Sequence, residues 1–332
     1  MPYPAAMRAP PSFSPKRIFM LGATGTIGRA TVGALVRRGH DVVCLVRAGA
    51  ATTGLDGATL RCGQVTDARS LADDGLCGER FDVMLSCLAS RSGDPADAWA
   101  VDYRAHGDAL AAARGCGVSQ LVLLSAICVQ HPLLAFQRAK LAFEADLIAS
   151  GLSYSIVRPT AFFKSLSGQV DRVRRGKPFL LFGDGRGTAC KPISDGDLAE
   201  YLADCVGNPD RMGHILPIGG PGPAITPREQ GALLFALTGQ PSRFRSVSPA
   251  LLRGIAALLG AVGVIVPVAA RKAELARIGH YYATESMLVR DPVTGGYDAD
   301  ATPETGRETL ADHYRALLAG ERRDDRGEHA VF

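Results

Sequence analysis

The chain has 332 residues, of which 47% are hydrophobic and 21% are charged, and its formal net charge is +4. This size and composition are typical of a globular protein with one large domain, or with one domain and a smaller lobe. The basic residues are scattered and aromatic residues make up only 6% of the chain, which excludes the basic, aromatic-lined surface that a nucleic-acid partner requires.

The first residues, MPYPAAMRAPPSFSPKR, are rich in proline and lack the apolar run of a secretory signal. We expect residues 1–15 to be a disordered lead-in to the first strand.

From residue 16 to about residue 160, apolar runs alternate with helical patterns. The predicted strands are Arg17–Leu21, Asp41–Val46, Thr59–Gly63, Phe81–Cys87, Gln120–Ser125 and Tyr154–Arg158. The predicted helices between them include Ile27–Arg38, Val101–Arg114 and Ala135–Ala149. Such alternation predicts an α/β fold, a Rossmann-type doubly wound parallel sheet, with a domain over residues 16–160.

The first strand runs directly into a glycine-rich loop that opens a helix, Gly22-Ala23-Thr24-Gly25-Thr26-Ile27-Gly28. Gly22 allows the tight turn, Gly25 lets the backbone approach a pyrophosphate, and Gly28 lets the helix pack against the strand. The helix N-terminus adds N–H donors and partial positive charge. In this strand–loop–helix context the seven residues predict a dinucleotide site.

The end of the second strand, Leu45-Val46-Arg47, carries no carboxylate that could accept a hydrogen bond from a ribose 2′-hydroxyl. An arginine there suits a 2′-phosphate, so we predict NADPH as the cofactor and an NADP-binding role for the domain. Asp67, just after the third strand, is a candidate adenine contact, although an aspartate in a turn is as often only a turn former.

Ser125 ends the fifth predicted strand, and Lys140 lies fifteen residues further on, within a predicted helix. This spacing resembles the short-chain dehydrogenase/reductase superfamily, whose active site combines Ser with Tyr-x-x-x-Lys. Here Phe136 stands where the tyrosine would be, so ketone reduction and epimerisation that depend on that tyrosine lose support. The pattern is similar to the NmrA-like or isoflavone-reductase-like branch, whose members can keep the lysine and reduce C=C bonds.

After residue 160 the pattern loosens, with glycine- and proline-rich turns at residues 183–187 and 219–223. We expect residues 161–320 to form a smaller α+β substrate lobe, interleaved with the Rossmann core, over the carboxyl ends of the strands. Residues 321–332 are densely charged and are expected to be a disordered tail.

Residues 254–270, GIAALLGAVGVIVPVAA, form a long apolar stretch between two arginines. Its length is at the lower limit for crossing a bilayer, and its proline and glycines weaken a helix. A buried or ligand-facing segment is the favoured interpretation, and peripheral membrane contact is the alternative.

The eight cysteines form neither a CxxC motif nor a Cys/His ligand spacing, so we predict no metal site and reduced, structural thiols in a cytosolic protein. They are Cys44, Cys62, Cys77, Cys87, Cys116, Cys128, Cys190 and Cys205.

Four sequence blocks narrow the resemblance to the divinyl chlorophyllide a 8-vinyl-reductase family over roughly residues 16–315. They are ICVQHPLLAFQRAK at residues 127–140, YSIVRPTAFFKSL at 154–166, CKPIS at 190–194 and YYATESMLV at 281–289. Plant members carry a plastid transit segment that this chain lacks, so the resemblance implies a bacterial cytoplasmic enzyme. Peripheral association with the photosynthetic membrane is compatible with this expectation.

The resemblance implies that NADPH reduces the 8-vinyl group of 3,8-divinyl chlorophyllide or protochlorophyllide to ethyl in chlorophyll or bacteriochlorophyll synthesis. Lys140 is then expected to bond the nicotinamide ribose, with Ser125 and Tyr281 as further catalytic candidates. The proton donor stays open among Lys140, water and Tyr281. The substrate-binding candidates are Phe136, Phe162, Phe163, Lys164 and Lys191, where the two lysines would meet a substrate carboxylate.

Two other functions remain compatible with the sequence. Another NADPH-dependent ene or quinone reductase would keep the glycine loop, Arg47 and Lys140 but bind a smaller ligand. A non-catalytic redox sensor would bind NADP without turnover. The sequence leaves the oligomeric state open.

Overall fold

The computed structural model describes residues 14–263 and 267–322. Most of the expected lead-in and tail therefore lie outside the described residues, as do residues 264–266 in the middle of the apolar stretch.

Seven parallel strands form the central sheet, in the order β3-β2-β1-β4-β5-β6-β8. Two smaller sheets pair β7 with β9 and β10 with β11. The strands are β1 (Arg17–Leu21), β2 (Asp41–Val46), β3 (Thr59–Cys62), β4 (Val83–Ser86), β5 (Gln120–Leu124), β6 (Ser153–Pro159), β7 (Phe179–Phe182), β8 (His214–Ile218), β9 (Phe244–Val247), β10 (Val289–Arg290) and β11 (Tyr297–Asp298). The predicted doubly wound fold is confirmed.

Helices cover both faces of this sheet, which is what continuously apolar parallel strands require. The helices are α1 (Thr26–Arg37), α2 (Ala68–Ser70), α3 (Pro95–Ala98), α4 (His106–Gly115), α5 (Ala135–Ala149), α6 (Phe163–Leu166), α7 (Val170–Arg174), α8 (Asp195–Asp204), α9 (Pro227–Thr238), α10 (Pro249–Gly263), α11 (Pro267–Thr284) and α12 (Leu310–Ala319). Between α3 and α4 the chain forms a π-helical turn, Trp99–Ala105.

The side chains of β1 alternate between two cores because successive residues of a strand point to opposite faces. Ile18 and Met20 belong to the core that α1 and α8 cover, whereas Phe19 and Leu21 belong to the core under α4 and α5. The strand between them is therefore buried on both faces, as its apolar sequence predicts.

The six predicted strands are all present, but the sequence analysis missed β8. This edge strand is mostly exposed or half-buried along its length, and it contains a proline, so it lacks the apolar signal of the central strands. Its neighbour α8 packs on α1, where Arg38 pairs with Glu200 and with Asp204. The chain thus returns to the central sheet at residues 195–218, well after the predicted boundary at residue 160.

Apart from this return, the second half builds a separate α+β unit. Its core joins residues of α6, α7, β7, α9 and α12, among them Phe163, Val173, Leu234 and Tyr314. The parallel pair β7–β9 and the helices pack around it.

The apolar stretch 254–270 lies on two helices, α10 and α11. Within the described ranges, no helix has both the length and the apolar composition needed to cross a membrane. Leu251, Ile255 and Leu258 lie one helical turn apart on α10 and are all exposed. Ile255 and Leu258 are therefore solvent-facing, so the stretch is not buried throughout, whereas the ligand-facing form of the expectation stays a prediction.

Candidate functional site

The glycine loop joins β1 to α1 at the carboxyl edge of the sheet. Gly22 has a φ of +74°, and a Cβ there would come within 2.5 Å of the backbone of Cys87. A Cβ on Gly28 would lie 2.1 Å from the carbonyl oxygen of Gly22. Both positions therefore require glycine, because backbone atoms cannot yield to a side chain.

Gly25 differs from the other two glycines. Within the described part of the chain, a Cβ on Gly25 would meet only the carbonyl oxygen of Gly22, at 3.5 Å, so the space above this residue is open to a ligand. Among the residues that the structure describes, no side chain caps the start of α1, which leaves its first N–H groups available to an anion. The loop fits the pyrophosphate of a dinucleotide. Ala23 and Ile27 are buried beneath it, and Thr26 is exposed at its rim.

Arg47 is exposed just after β2, and among the described residues its guanidinium forms no ion pair. The neighbouring loop is held by Arg29, whose guanidinium donates to the carbonyl oxygens of Thr24, Ala51 and Thr53. Arg29 thus links the glycine loop to the loop after β2 and leaves Arg47 available to a 2′-phosphate. The sequence analysis missed Arg29, since nothing in the local pattern indicates its backbone acceptors.

Asp67 has a local role. Its carboxylate accepts hydrogen bonds from the N–H groups of Arg69 and Ser70 and so caps α2. This is the turn-forming alternative of the sequence analysis, and the adenine contact stays a prediction.

Lys140 projects from α5 into a buried charge pair. Its Nζ lies 2.9 Å from Oδ1 of Asp102, whose side chain is fully buried, whereas the Lys140 side chain is 11% exposed. Asp102 also accepts hydrogen bonds from the N–H and the hydroxyl of Ser90. The carboxylate of Asp102, itself held by Ser90, therefore fixes the position of the Lys140 ammonium.

Asp102 belongs to the π-helical turn, a feature that often occurs at functional sites. Sequence reasoning missed it, although a carboxylate on the apolar face of a predicted helix is a usable signal. Removing one partner of such a buried pair costs about 3–5 kcal/mol.

Two titratable neighbours of Lys140, His106 and Cys87, are neutral near pH 7. Burial, together with the charge of Lys140, lowers the pKa of His106 to about 4. The His106 ring bonds the hydroxyl of Ser86 and the carbonyl oxygen of Val101. Burial raises the pKa of the Cys87 thiol to about 12, against the opposing effects of its bond to Thr31 and of Lys140. Asp102 is thus the negative charge that balances Lys140.

Ser125 does not join this pair. Its hydroxyl donates to the buried carboxylate of Glu144, which also forms an ion pair with Arg158. A hydroxyl already donating to a carboxylate has no free proton to offer a substrate. The expectation of a catalytic Ser125 is corrected to a structural role in this network, and Glu144 and Arg158 were not foreseen.

Tyr281 is 2% exposed, and its hydroxyl donates to the carbonyl oxygen of Cys128 at 2.9 Å. Burial raises its pKa well above the usual range for tyrosine. Both observations oppose the expected role as proton donor. Phe136 is half-buried and packs against the apolar cluster that contains Tyr281. It lies on the helix that carries Lys140, so its ring can still border a ligand.

Two further substrate candidates have structural contacts instead. Phe163 is buried in the lobe core, against the ring of His313. The ammonium of Lys191 donates to the carbonyl oxygen of Thr302 at 3.0 Å and lies 3.7 Å from Glu304. Lys191 thereby anchors the segment before α12 and is corrected to that role.

Phe162 remains half-buried where the lobe begins, packed against the core beneath α1. Lys164 was expected to meet a substrate carboxylate, but its Nζ lies 2.7 Å from the hydroxyl of Thr26 in the glycine loop. The lobe therefore approaches the cofactor loop directly.

The chain matches known proteins in sequence and in fold. A sequence profile described as NAD(P)H-binding matches residues 22–209. The divinyl chlorophyllide a 8-vinyl-reductase of Oryza sativa subsp. indica is 45% identical to this chain, in an alignment covering 100% of the chain and 87% of the relative. The protein of that name from Cucumis sativus is 46% identical, covering 95% of the chain and 79% of the relative.

Among solved structures, an NADPH-dependent quinone oxidoreductase from Escherichia coli, crystallised with NADPH, superposes with a TM-score of 0.67. It covers 91% of this chain and 99% of its own length at 20% identity, so the likeness concerns the fold alone. These relatives, which align over 95–100% of the chain, confirm the family resemblance predicted from the sequence. The chain therefore belongs to the divinyl chlorophyllide a 8-vinyl-reductase family and is an NAD(P)H-binding oxidoreductase on a Rossmann fold.

Proposed function

We propose that this protein uses NADPH to reduce the 8-vinyl group of 3,8-divinyl chlorophyllide or protochlorophyllide a to an ethyl group. The identity to reductases of that name, which extends over 95–100% of the chain, carries the proposal. The site supports it, because Asp102 holds Lys140 in place while Phe136 replaces a proton-donating tyrosine.

Each end of the cofactor has residues in this chain that fit it. The open space above Gly25 and the uncapped start of α1 would receive the pyrophosphate, and Arg47 would receive the 2′-phosphate. Lys140, held by Asp102, would hydrogen-bond the nicotinamide ribose. When bound, NADPH supplies a hydride.

Reduction of the vinyl group adds one hydride and one proton. Hydride at the terminal carbon leaves an anion at the inner carbon, which the electron-poor macrocycle delocalises, and the proton then goes to that inner carbon. The hydroxyl of Tyr281 is buried and already donates a hydrogen bond to the carbonyl oxygen of Cys128, so it is poorly placed to donate this proton. Lys140 or a water molecule that it orients is the better donor, because the ammonium is partly exposed.

Phe136 and Phe162 are the aromatic candidates that keep part of their surface free, and they would form the dry wall that a planar pigment requires. Phe163 and Lys191 are left out of this wall because their contacts are internal.

We further propose that the exposed face of α10 places the protein at the surface of the photosynthetic membrane. Leu251, Ile255 and Leu258 form an apolar row on this helix, and Arg253 lies exposed beside it. An amphipathic helix with basic residues at its margin suits an anionic lipid surface.

The direct test supplies purified protein with NADPH and divinyl chlorophyllide. We expect one NADPH oxidised for each vinyl group lost, and a product heavier by two hydrogen atoms. Quinones and simple enones serve as the comparison. Reduction of these, with the pigment untouched, would indicate a different ene or quinone reductase, and cofactor binding without any turnover would indicate a redox sensor.

A further inference from the structure

Lys164 lies in the lobe segment of the sequence, but its side chain contacts the glycine loop. It lies on the short helix α6, yet its Nζ is 2.7 Å from the hydroxyl of Thr26, the first residue of α1. The two residues are 138 positions apart in the chain. The lobe thereby supplies an ammonium group at the point where the first N–H groups of α1 are free.

This contact borders a cavity of about 320 Å³, whose lining includes Thr26, Lys164, Ser167 and Asp195. Helices α1 and α8 both begin at this cavity, since Thr26 and Asp195 are their first residues. Helix N-termini carry partial positive charge. The backbone therefore adds to the attraction that Lys164 exerts on an anion.

The other charges of the cavity are largely balanced. Arg322 forms an ion pair with Glu308, and burial lowers the pKa of His313 to about 4, so that its ring is neutral near pH 7. Within the described residues Lys164 forms no ion pair closer than 4.0 Å. Burial raises the pKa of Asp195, against the opposing charge of Lys164.

We propose that Lys164 binds the pyrophosphate of NADPH, rather than a carboxylate of the pigment as its sequence context indicates. Thr26 is the residue whose backbone begins the phosphate-binding helix, so an ammonium at its hydroxyl is within reach of a phosphate bound there. The compact charge of lysine suits a phosphate oxygen. Asp195 lies in the same cavity and opposes the incoming anion. This inference rests on the cofactor of the proposed function.

The test measures NADPH affinity in the absence of pigment, by the fluorescence of the bound nicotinamide. Lys164→Gln should weaken binding about tenfold, which corresponds to about 1.4 kcal/mol. Asp195→Asn should leave the affinity unchanged or raise it, because it removes a negative charge from the cavity. Lys177→Gln, an exposed lysine of the same lobe, should have no effect, and Lys164→Arg should keep most of the affinity.

Two results would overturn the inference. Unchanged NADPH affinity in Lys164→Gln, with a raised KM for the pigment, would assign the ammonium to a substrate carboxylate. Equal weakening by Lys164→Gln and Asp195→Asn would show that the cavity only docks the lobe. If Lys164 proves necessary for NADPH binding while the vinyl group is never reduced, the proposed function fails and this inference stands.

Discussion

The glycine loop and the lobe contrast in how their residues are used. At the loop, backbone geometry decides the roles, because Gly22 and Gly28 have no room for a side chain and Gly25 faces open space. In the lobe, Phe163 and Lys191 are engaged in internal contacts, and Lys164 turns towards the loop. Backbone-defined sites can be recognised from local sequence, whereas the role of a lobe side chain depends on partners far away in the chain.

Removal of the Asp102 carboxylate should have the largest effect on stability, because the charge pair with Lys140, like the contacts of the lobe, joins residues far apart in the chain. Asp102→Ala leaves the Lys140 ammonium without its partner in a mostly buried site, and we expect about 3–5 kcal/mol lower stability. Urea unfolding monitored by circular dichroism measures it. Asp204→Ala, which removes an exposed pairing carboxylate, is the control and should cost about 1 kcal/mol or less. Similar losses in both variants would contradict the account of a buried pair.

Lys140→Ala should lower kcat about a hundredfold or more, the usual range for a group that positions or transfers a proton. Phe136→Tyr should not raise the rate, because the added hydroxyl lies against an apolar cluster. Steady-state turnover with saturating NADPH measures both variants. A lysine-free protein with the wild-type rate would remove Lys140 from the mechanism.

Arg47→Ala should weaken NADPH binding by about 10- to 100-fold, since a hydrogen bond between charged groups contributes about 1.5–3 kcal/mol. Binding of NADH, which has no 2′-phosphate, should change little. Titrations with both cofactors on one preparation measure the difference. An equal loss for NADPH and NADH would show that Arg47 does not read the 2′-phosphate.

The smallest effect concerns the surface of α10. Leu258 is 68% exposed, so Leu258→Asp should leave the fold intact and reduce binding to anionic vesicles severalfold. Co-sedimentation with phosphatidylglycerol vesicles measures it. Val293→Asp, at a residue between β10 and β11 that is 91% exposed, is the matched control. Unchanged sedimentation of the Leu258 variant would argue against membrane contact through this helix.

The central strands and the glycine loop could be predicted from the sequence, because continuous apolar runs and the spacing of the glycines indicate them locally. Strand β8 escaped detection since it lies at a half-exposed edge. Within the site, Lys140 could be selected by its spacing from Ser125. Asp102 stood out only as a carboxylate within a predicted helix, and nothing in the sequence indicated that it pairs with Lys140. That pairing depends on how the π-helical turn packs against α5. Ser125 shows the reverse, because its spacing fitted a catalytic role while its hydroxyl is engaged by Glu144.

The most direct test of the central claim follows the hydride itself. Divinyl chlorophyllide is reduced with NADPH that carries deuterium at the transferred position of the nicotinamide, and the product is examined by NMR. The account predicts deuterium in the methyl group of the new ethyl substituent, with the proton from solvent on the inner carbon. Deuterium at the inner carbon would contradict the proposed direction of addition, and an unchanged vinyl group would contradict the proposed function.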